Sequence, residues 1–404
     1  MPYSLLTLAA LTPKEYKIKI INQKQFWSAG DFNDRALVGI TCLTAAVVEA
    51  YQLADKFRRA GSRVVLGGPH VTALPEEALE HADSVVIGEA ESVWPKVIAD
   101  FENGCLNKIY RGVALEDFFT PVYDYFMRLD PDTLSRTGIH IDRGCKYHCD
   151  FCARISQWLR FIDIEQVIIL VKKIGSAKRS FFTRKPAIRF NCDNIFSDPA
   201  YAKELFKKMI PLNITWRANC SIDIGFDQEA LKLAKQSGCR GFLIGFETIY
   251  PKDYGKTSLR QLHTANDYLN AINNIRRYGF KISGSFIFGL DSYGNLDYLK
   301  LLWFMCRSKL WVFILTILTP FPGSALFNRL KSENRILSFD WRKYFFLFCV
   351  IKPKQTSVLS VYAWFWFIRI ISILFSPYLI LVFFAFFISL EFGYRLGNYL
   401  FNHF

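Results

Sequence analysis

The chain has 404 residues, with 50 Lys and Arg against 36 Asp and Glu, a formal net charge of +14 and 16% aromatic residues. That length suits two domains, or one large barrel with an appendage. The positive charge would admit a nucleic-acid partner, but Lys and Arg are dispersed among acids with no arginine-rich run or RNA-binding motif, so none is expected.

The first hundred residues alternate between strand and helix patterns. Residues 17–22 (KIKIIN) read as a strand, 37–41 (LVGIT) as a buried strand and 45–60 as an amphipathic helix ended by Gly61. Strands over 63–66 and 84–87 (SVVI) follow. Strands alternating with helices imply a parallel sheet. Gly67-Gly68-Pro69-His70 then forms a tight turn at the carboxyl edge of that sheet, where ligands of such sheets bind. Gly68 and His70 are therefore candidate ligand contacts. A turn that merely needs positive φ explains the glycines on its own, and His70, His140 and His263 otherwise read as structural or surface histidines.

Residues 104–138 carry mixed charges with Pro121 and Pro131 and read as a linker. Beyond it, apolar strands recur at helix-sized spacing: 138–142, 187–191, 214–219, 241–246, 281–289 and 313–318, with helices over 201–209, 227–237 and 263–278. Counted from Ile139, these make six strand–helix units, whose reactive loops belong at the carboxyl ends of the strands. The expected division is a first domain over 1–110, a linker over 111–135, a barrel over 136–335 and a helical extension over 336–404.

In that extension, 370–390 is a run of 21 uncharged residues, a length that just spans a hydrocarbon core. Arg369 and Glu391 flank it, Pro377 kinks it, and Trp364 and Trp366 suit interfacial anchors. A single span and amphipathic helices lying on one leaflet or on the barrel are both compatible with this pattern.

The densest chemical signal is Arg143-Gly-Cys145-Lys-Tyr-His-Cys149-Asp-Phe-Cys152. Three thiolates with no obvious fourth suit an iron-sulfur cubane that keeps one iron open to chelate a small molecule. A zinc knuckle would need a fourth ligand, and His148 sits awkwardly between the others. A disulfide framework would need an oxidising compartment. No signal peptide is read at the start, and the other seven cysteines are scattered through apolar segments like core thiols.

The C-x3-C-x2-C spacing with Phe151 before the last cysteine resembles the signature of the radical S-adenosylmethionine (SAM) superfamily. Ser237-Gly-Cys-Arg-Gly241, Ile244-Gly-Phe-Glu247, Gly284-Ser-Phe-Ile-Phe-Gly289 and Leu318-Thr-Pro-Phe-Pro-Gly323 extend the resemblance. It implies a partial (β/α)6 barrel with a [4Fe-4S] cluster held by Cys145, Cys149 and Cys152. The open iron of such a cluster binds SAM and delivers the electron that cleaves it to a 5'-deoxyadenosyl radical. It also implies that Phe151 packs near the adenine, that Asp193 and Asn194 steady the SAM amino group, and that Ser283 to Gly289 line the adenine side. Glu247 would meet ribose hydroxyls or an arginine. A turn at 191–194 and a structural salt bridge at Glu247 are the plainer alternatives.

Leu5 to Pro13, Val38-Gly-Ile-Thr41, Val65 to Thr72, Leu74-Pro-Glu-Glu-Ala78 and Ile87-Gly-Glu-Ala-Glu91 resemble the N-terminal domain of B12-binding radical SAM proteins. The implied fold class is α/β: a Rossmann-like cobalamin-binding-type domain, then the barrel, then an apolar helical tail. The first strand of that domain reads as missing, and no Asp-x-His-x-x-Gly motif offers a histidine to cobalt. Cobalamin is nevertheless the third cofactor that the resemblance implies.

The expected function is a radical SAM enzyme, in its concrete form a cobalamin-dependent C-methylation of a lipid-like substrate of isoprenoid or hopanoid type. Alternatives are cobalamin-independent coupling or rearrangement, a cluster-bearing electron carrier, and an inactive paralogue. The expected partners are a small-molecule or lipid substrate, a flavodoxin- or ferredoxin-type electron donor and a membrane surface reached from the cytoplasm.

Overall fold

A computed structural model describes residues 3–21, 36–156, 158–176, 187–250 and 264–375. After a first helix, Tyr3–Leu11, four strands form a fully parallel sheet in sequential order: β1 (Leu37–Thr41), β2 (Arg63–Gly67), β3 (Ser84–Ile87) and β4 (Ile109–Arg111). One face is covered by the helix Val47–Arg59, which buries Val47, Ala50, Tyr51, Ala54 and Phe57 at helical spacing. The other packs Val65 and Val86 against Trp94, Val97 and Ile98, from the helix Trp94–Glu102.

Residues 17–21 of the expected first strand are irregular, and Asn22 lies outside the described residues. Alternation alone does not make a strand when no neighbour supplies a ladder. The 104–138 linker also departs from expectation, because it contributes β4 and two helices, Thr120–Arg128 and Pro131–Thr137. Both prolines sit in the first turn of a helix, where their missing N–H has no partner to lose. Asp130 caps the second helix by accepting the Thr133 N–H at 2.8 Å.

The second sheet is parallel throughout, in the order β11-β10-β9-β8-β7: β7 (Ala187–Phe190), β8 (Thr215–Cys220), β9 (Cys239–Glu247), β10 (Lys281–Phe288) and β11 (Val312–Ile317). Its outer face is buried under helices. Trp216 packs on Phe206, with ring centroids 5.0 Å apart, and Phe246 lies between Tyr268 at 5.3 Å and Phe304 at 6.1 Å. The inner face stays partly open.

The expected first barrel strand, 138–142, is reduced to a single parallel bridge from Ile139 to Phe190. Two short strands, β5 (Asp142–Arg143) and β6 (Arg160–Phe161), instead pair antiparallel and close the neck of the cysteine loop. Downstream, the helix Val358–Phe375 packs on the helix Asn295–Ser308, where Asn295 Oδ1 accepts from Ser360 Oγ at 2.6 Å and from the Trp364 indole at 3.1 Å. Among the described residues no helix is long and apolar enough to cross a membrane. Residues 376–404, with most of the expected apolar run, and His263 lie outside the described residues.

Candidate active site

The cysteine loop rises from the β5–β6 neck, where Arg143 stands opposite Arg160. Gly144 starts the loop at φ +83°, and a Cβ there would run into the Trp158 carbonyl, so only glycine fits. The two guanidiniums converge on Glu89, just beyond β3. Arg143 Nη1 donates to Oε2 at 2.8 Å and Arg160 Nη1 to the same oxygen at 3.2 Å, while Arg160 Nη2 meets Oε1. Arg143 also reaches Glu91, and both cations lie over the Phe118 ring, at 4.6 and 5.5 Å. These charges are largely buried and mutually compensated, so the carboxyl edge of the first sheet is fastened to the base of the cysteine loop.

Within the loop, Cys145 is buried, whereas Cys149 and Cys152 are partly exposed. The Cys152 N–H donates to the Cys149 carbonyl at 3.1 Å. Asp150 ties the loop to the helix Ala325–Ser332: its carbonyl accepts the Leu326 N–H at 2.8 Å and its carboxylate pairs with Arg329 at 3.1 Å. Among the described residues no three His, Cys, Asp or Glu side chains are placed to hold a single metal ion. Three soft thiol donors on one short loop, two of them reachable, fit a cluster that bridges them. Burial pushes the Cys152 thiol up and the nearby Arg154 pulls it down, so a cation is already in place beside thiolate ligands.

Arg154 Nε pairs with Asp193 at 2.9 Å, which brings Asp193 to the cysteines. Asn194 has a different fate. It is buried, its Oδ1 accepts the N–H groups of Ser221 at 2.8 Å and Phe196 at 3.1 Å, and its amide donates to Ser221 Oγ, so its side chain clasps the ends of β7 and β8 together. Asp142 was not singled out in the sequence. It is buried beneath this group, its Oδ1 accepts the Asp193 N–H at 3.2 Å, and burial, with the Asp193 charge adding, pushes its carboxyl up to about 8.

Glu247 ends β9 in the left-handed region at φ 65°, next to a bulge in the β9–β10 register. Strain of this kind concentrates at functional sites. Ser285 Oγ donates to its Oε2 at 3.4 Å, and Ser283 lies two residues earlier on the same open face. Phe151 packs, half-buried, at the margin of the core.

At the first sheet, Gly68 (φ +105°) starts the helix Pro69–Ala73, and a Cβ there would lie 2.9 Å from the Cys42 carbonyl and from Thr41 Oγ1. His70 turns inward and is 1% exposed, with Nε2 on Glu77 Oε1 at 3.2 Å. His81 is engaged by Asp55 at 3.0 Å. Neither histidine of this domain presents itself to a corrin at the sheet edge. That edge, with glycines at the ends of β2 and β3 and Leu43 67% exposed beyond β1, fits a corrinoid held without a histidine ligand. Sequence reasoning missed Glu89, Arg143 and Arg160 as a unit. Its local signals were an arginine immediately before Gly144 and Glu89 within Ile87-Gly-Glu-Ala-Glu91, with nothing to link the two.

The B12 binding domain family matches residues 15–98, and the Radical SAM superfamily matches residues 139–302. The bacteriochlorophyllide d C-12(1)-methyltransferase of Chlorobaculum tepidum is 28% identical over 88% of this chain and 78% of its own length. The bacteriochlorophyllide d C-8(2)-methyltransferase of the same organism is also 28% identical, over 89% of this chain and 85% of its own. Among solved structures, the radical SAM methyltransferase TsrM of Kitasatospora setae, with cobalamin and a [4Fe-4S] cluster bound, superposes with a TM-score of 0.63 at 16% identity. The match covers 82% of this chain and 72% of that one, and it is a likeness of fold. A cysteine loop fastened to the carboxyl edge of a parallel sheet, with these two families matching in this order, identifies the chain as a radical SAM enzyme of the B12-binding group.

Proposed function

We propose that the protein is a cobalamin-dependent C-methyltransferase. The observation that carries this reading is Glu89, which joins the carboxyl edge of the first sheet, where a methyl carrier would sit, to the base of the cysteine loop through Arg143 and Arg160. The methyltransferase relatives favour the same reaction. When bound, the cluster supplies the electron that cleaves SAM, and cobalamin carries the methyl group.

The residues take separate tasks. Cys145, Cys149 and Cys152 would hold the cluster, with Arg154 balancing thiolate charge. Asp193, Glu247, Ser283 and Phe151 would surround SAM, and Gly68 would let backbone approach the corrin. Domain limits of 1–110, 136–335 and 336–404 fit these tasks, and a flavodoxin- or ferredoxin-type protein would deliver electrons.

The substrate is a hydrophobic small molecule met at a lipid surface. Leu296, Leu299 and Trp303 on one helix and Leu359, Trp366 and Ile370 on its neighbour are all exposed, apolar side chains of the kind that a lipid surface would cover. Co-sedimentation with phosphatidylglycerol vesicles should be lost in the Trp303→Ser/Trp366→Ser double variant. The reaction itself is tested by anaerobic reconstitution with iron, sulfide and methylcobalamin, followed by dithionite and methyl-labelled SAM. Deoxyadenosine and label transfer to an added chlorin or polycyclic lipid are expected from wild type and from neither Cys149→Ala nor Cys152→Ala. Deoxyadenosine without cobalamin dependence would favour the coupling reaction instead.

A further inference from the structure

Residues 338–349 form a loop that is closed at its base and tethered at both sides. At the base the Leu337 N–H donates to the Val350 carbonyl at 2.8 Å and the Lys352 N–H to the Arg335 carbonyl at 2.8 Å, with Ile336 and Ile351 bridged antiparallel between them. On one side the helical turn Trp341–Lys343 packs against the turn Thr44–Ala46, which follows Leu43 at the carboxyl end of β1, and the Trp341 ring lies 5.1 Å from that of His70. On the other side the Phe346 carbonyl accepts the Ile317 N–H at 2.7 Å, at the end of β11, and the Phe346 ring meets Phe321 edge-on with centroids 5.4 Å apart. The loop therefore crosses from the carboxyl edge of one sheet to the carboxyl edge of the other. These edges approach closely beside it, for a Cβ at Gly323 would lie 3.2 Å from that of Ala73.

Between the tethers Tyr344 is buried, with its hydroxyl donating to the Ser338 carbonyl at 2.9 Å, whereas Phe345, Phe346 and Phe348 are exposed. A single exposed apolar side chain is ordinary, but three phenylalanines together on a fastened loop beside functional edges mark a contact surface. The position says what meets it. A methyl acceptor has to reach both a radical formed at the cysteine loop and a methyl carrier at the first sheet, so its body must lie where the two carboxyl edges meet, against this loop.

We infer that Phe345, Phe346 and Phe348 select the substrate by seating the ring system of a flat, conjugated molecule. The inference rests on the proposed methyl transfer, whose acceptor it specifies. Phenylalanine offers ring faces and edges that stack on a planar π-system and gain more there than from buried area alone. A saturated polycycle of similar size would gain only the area. Because the loop is held at its base and at both sheets, the three rings keep their places without the substrate, and little ordering is required when it binds.

The test titrates the full chain with two fluorescent probes in dilute detergent, a neutral chlorin ester for the flat ring and dehydroergosterol for the polycycle. The chlorin is expected to bind at least tenfold more tightly than the sterol. Phe345→Ser and Phe348→Ser should each weaken chlorin binding at least fivefold, whereas Ile169→Ser, an exposed change on the outer helix Ile164–Gly175, should leave it as in wild type. Phe346→Leu keeps the bulk and removes the ring, and it provides the reading if a serine variant does not fold. Sterol binding as tight as chlorin binding, or chlorin binding unchanged in all three phenylalanine variants, would overturn the inference. Because the titration needs neither cluster nor SAM, its failure is separate from a failure of methyl transfer.

Discussion

The indole N–H of Trp341 donates to the Glu77 carboxylate at 3.1 Å, across 264 residues of chain. The same carboxylate takes His70 Nε2 at 3.2 Å and the Tyr51 hydroxyl at 3.0 Å. Partial burial raises its pKa, but these donors outweigh burial and hold Glu77 below the usual carboxylate range. The C-terminal segment is thereby pinned onto the first domain.

Replacing Glu77 with Gln keeps the shape and removes the charge that three donors share. Urea unfolding should register a loss of about 1–3 kcal/mol at neutral pH. The depressed pKa means that the charged form contributes above pH about 4.5 and fades as acid protonates it, so the gap between wild type and variant should close below that pH.

Arg160→Met leaves Glu89 facing Arg143 alone in a buried setting. Because Arg143 still compensates Glu89, the loss is that of the charged hydrogen bonds to Arg160, about 1.5–3 kcal/mol. Thermal melts should show a fall, and the combination with Glu89→Gln should cost less than the sum of the single changes, because both break the same contact. Additive losses would mean that the two side chains are not coupled.

The raised carboxyl of Asp142 has a sign opposite to that of Glu77. Between its ordinary pKa of 3.8 and about 8, the folded protein holds a proton that the unfolded chain has shed. Stability should therefore fall as pH climbs through that window and level off above it. In the metal-free protein Asp142→Asn should flatten the dependence of Tm on pH between 5 and 9, and a slope identical to wild type would refute the assignment.

Gly144→Ala places a Cβ against the Trp158 carbonyl at a positive φ. Reconstitution should yield at most a tenth of the wild-type iron per chain, while far-ultraviolet circular dichroism keeps the wild-type helix content, since the clash is confined to the loop neck.

The sequence was legible where periodicity and sheet burial coincide. Strands 37–41, 63–66 and 84–87 and the five long barrel strands sit within about two residues of their expected positions, because each is an apolar run bounded by turn residues. Pro121 and Pro131 misled, since proline breaks a helix from within but suits its first turn. The three cysteines stood out by their spacing alone, and the fold carries them on one short loop above the β5–β6 neck. The Glu89, Arg143 and Arg160 cluster did not stand out, because its members lie 54 and 71 residues apart and only the closed fold brings them together. Asn194 looked like Asp193 in sequence, yet it serves the backbone while Asp193 faces the cysteines.

The fastening at Glu89 bears on how such proteins can be recombined. A chimera that grafts this first domain onto a foreign barrel would carry an acid selected for two arginines it no longer meets. The reverse graft would leave two arginines clustered with no counter-charge from Glu89. The modules can be exchanged only together with their shared seam, so a working hybrid would have to import residues 89, 143 and 160 as one inherited unit.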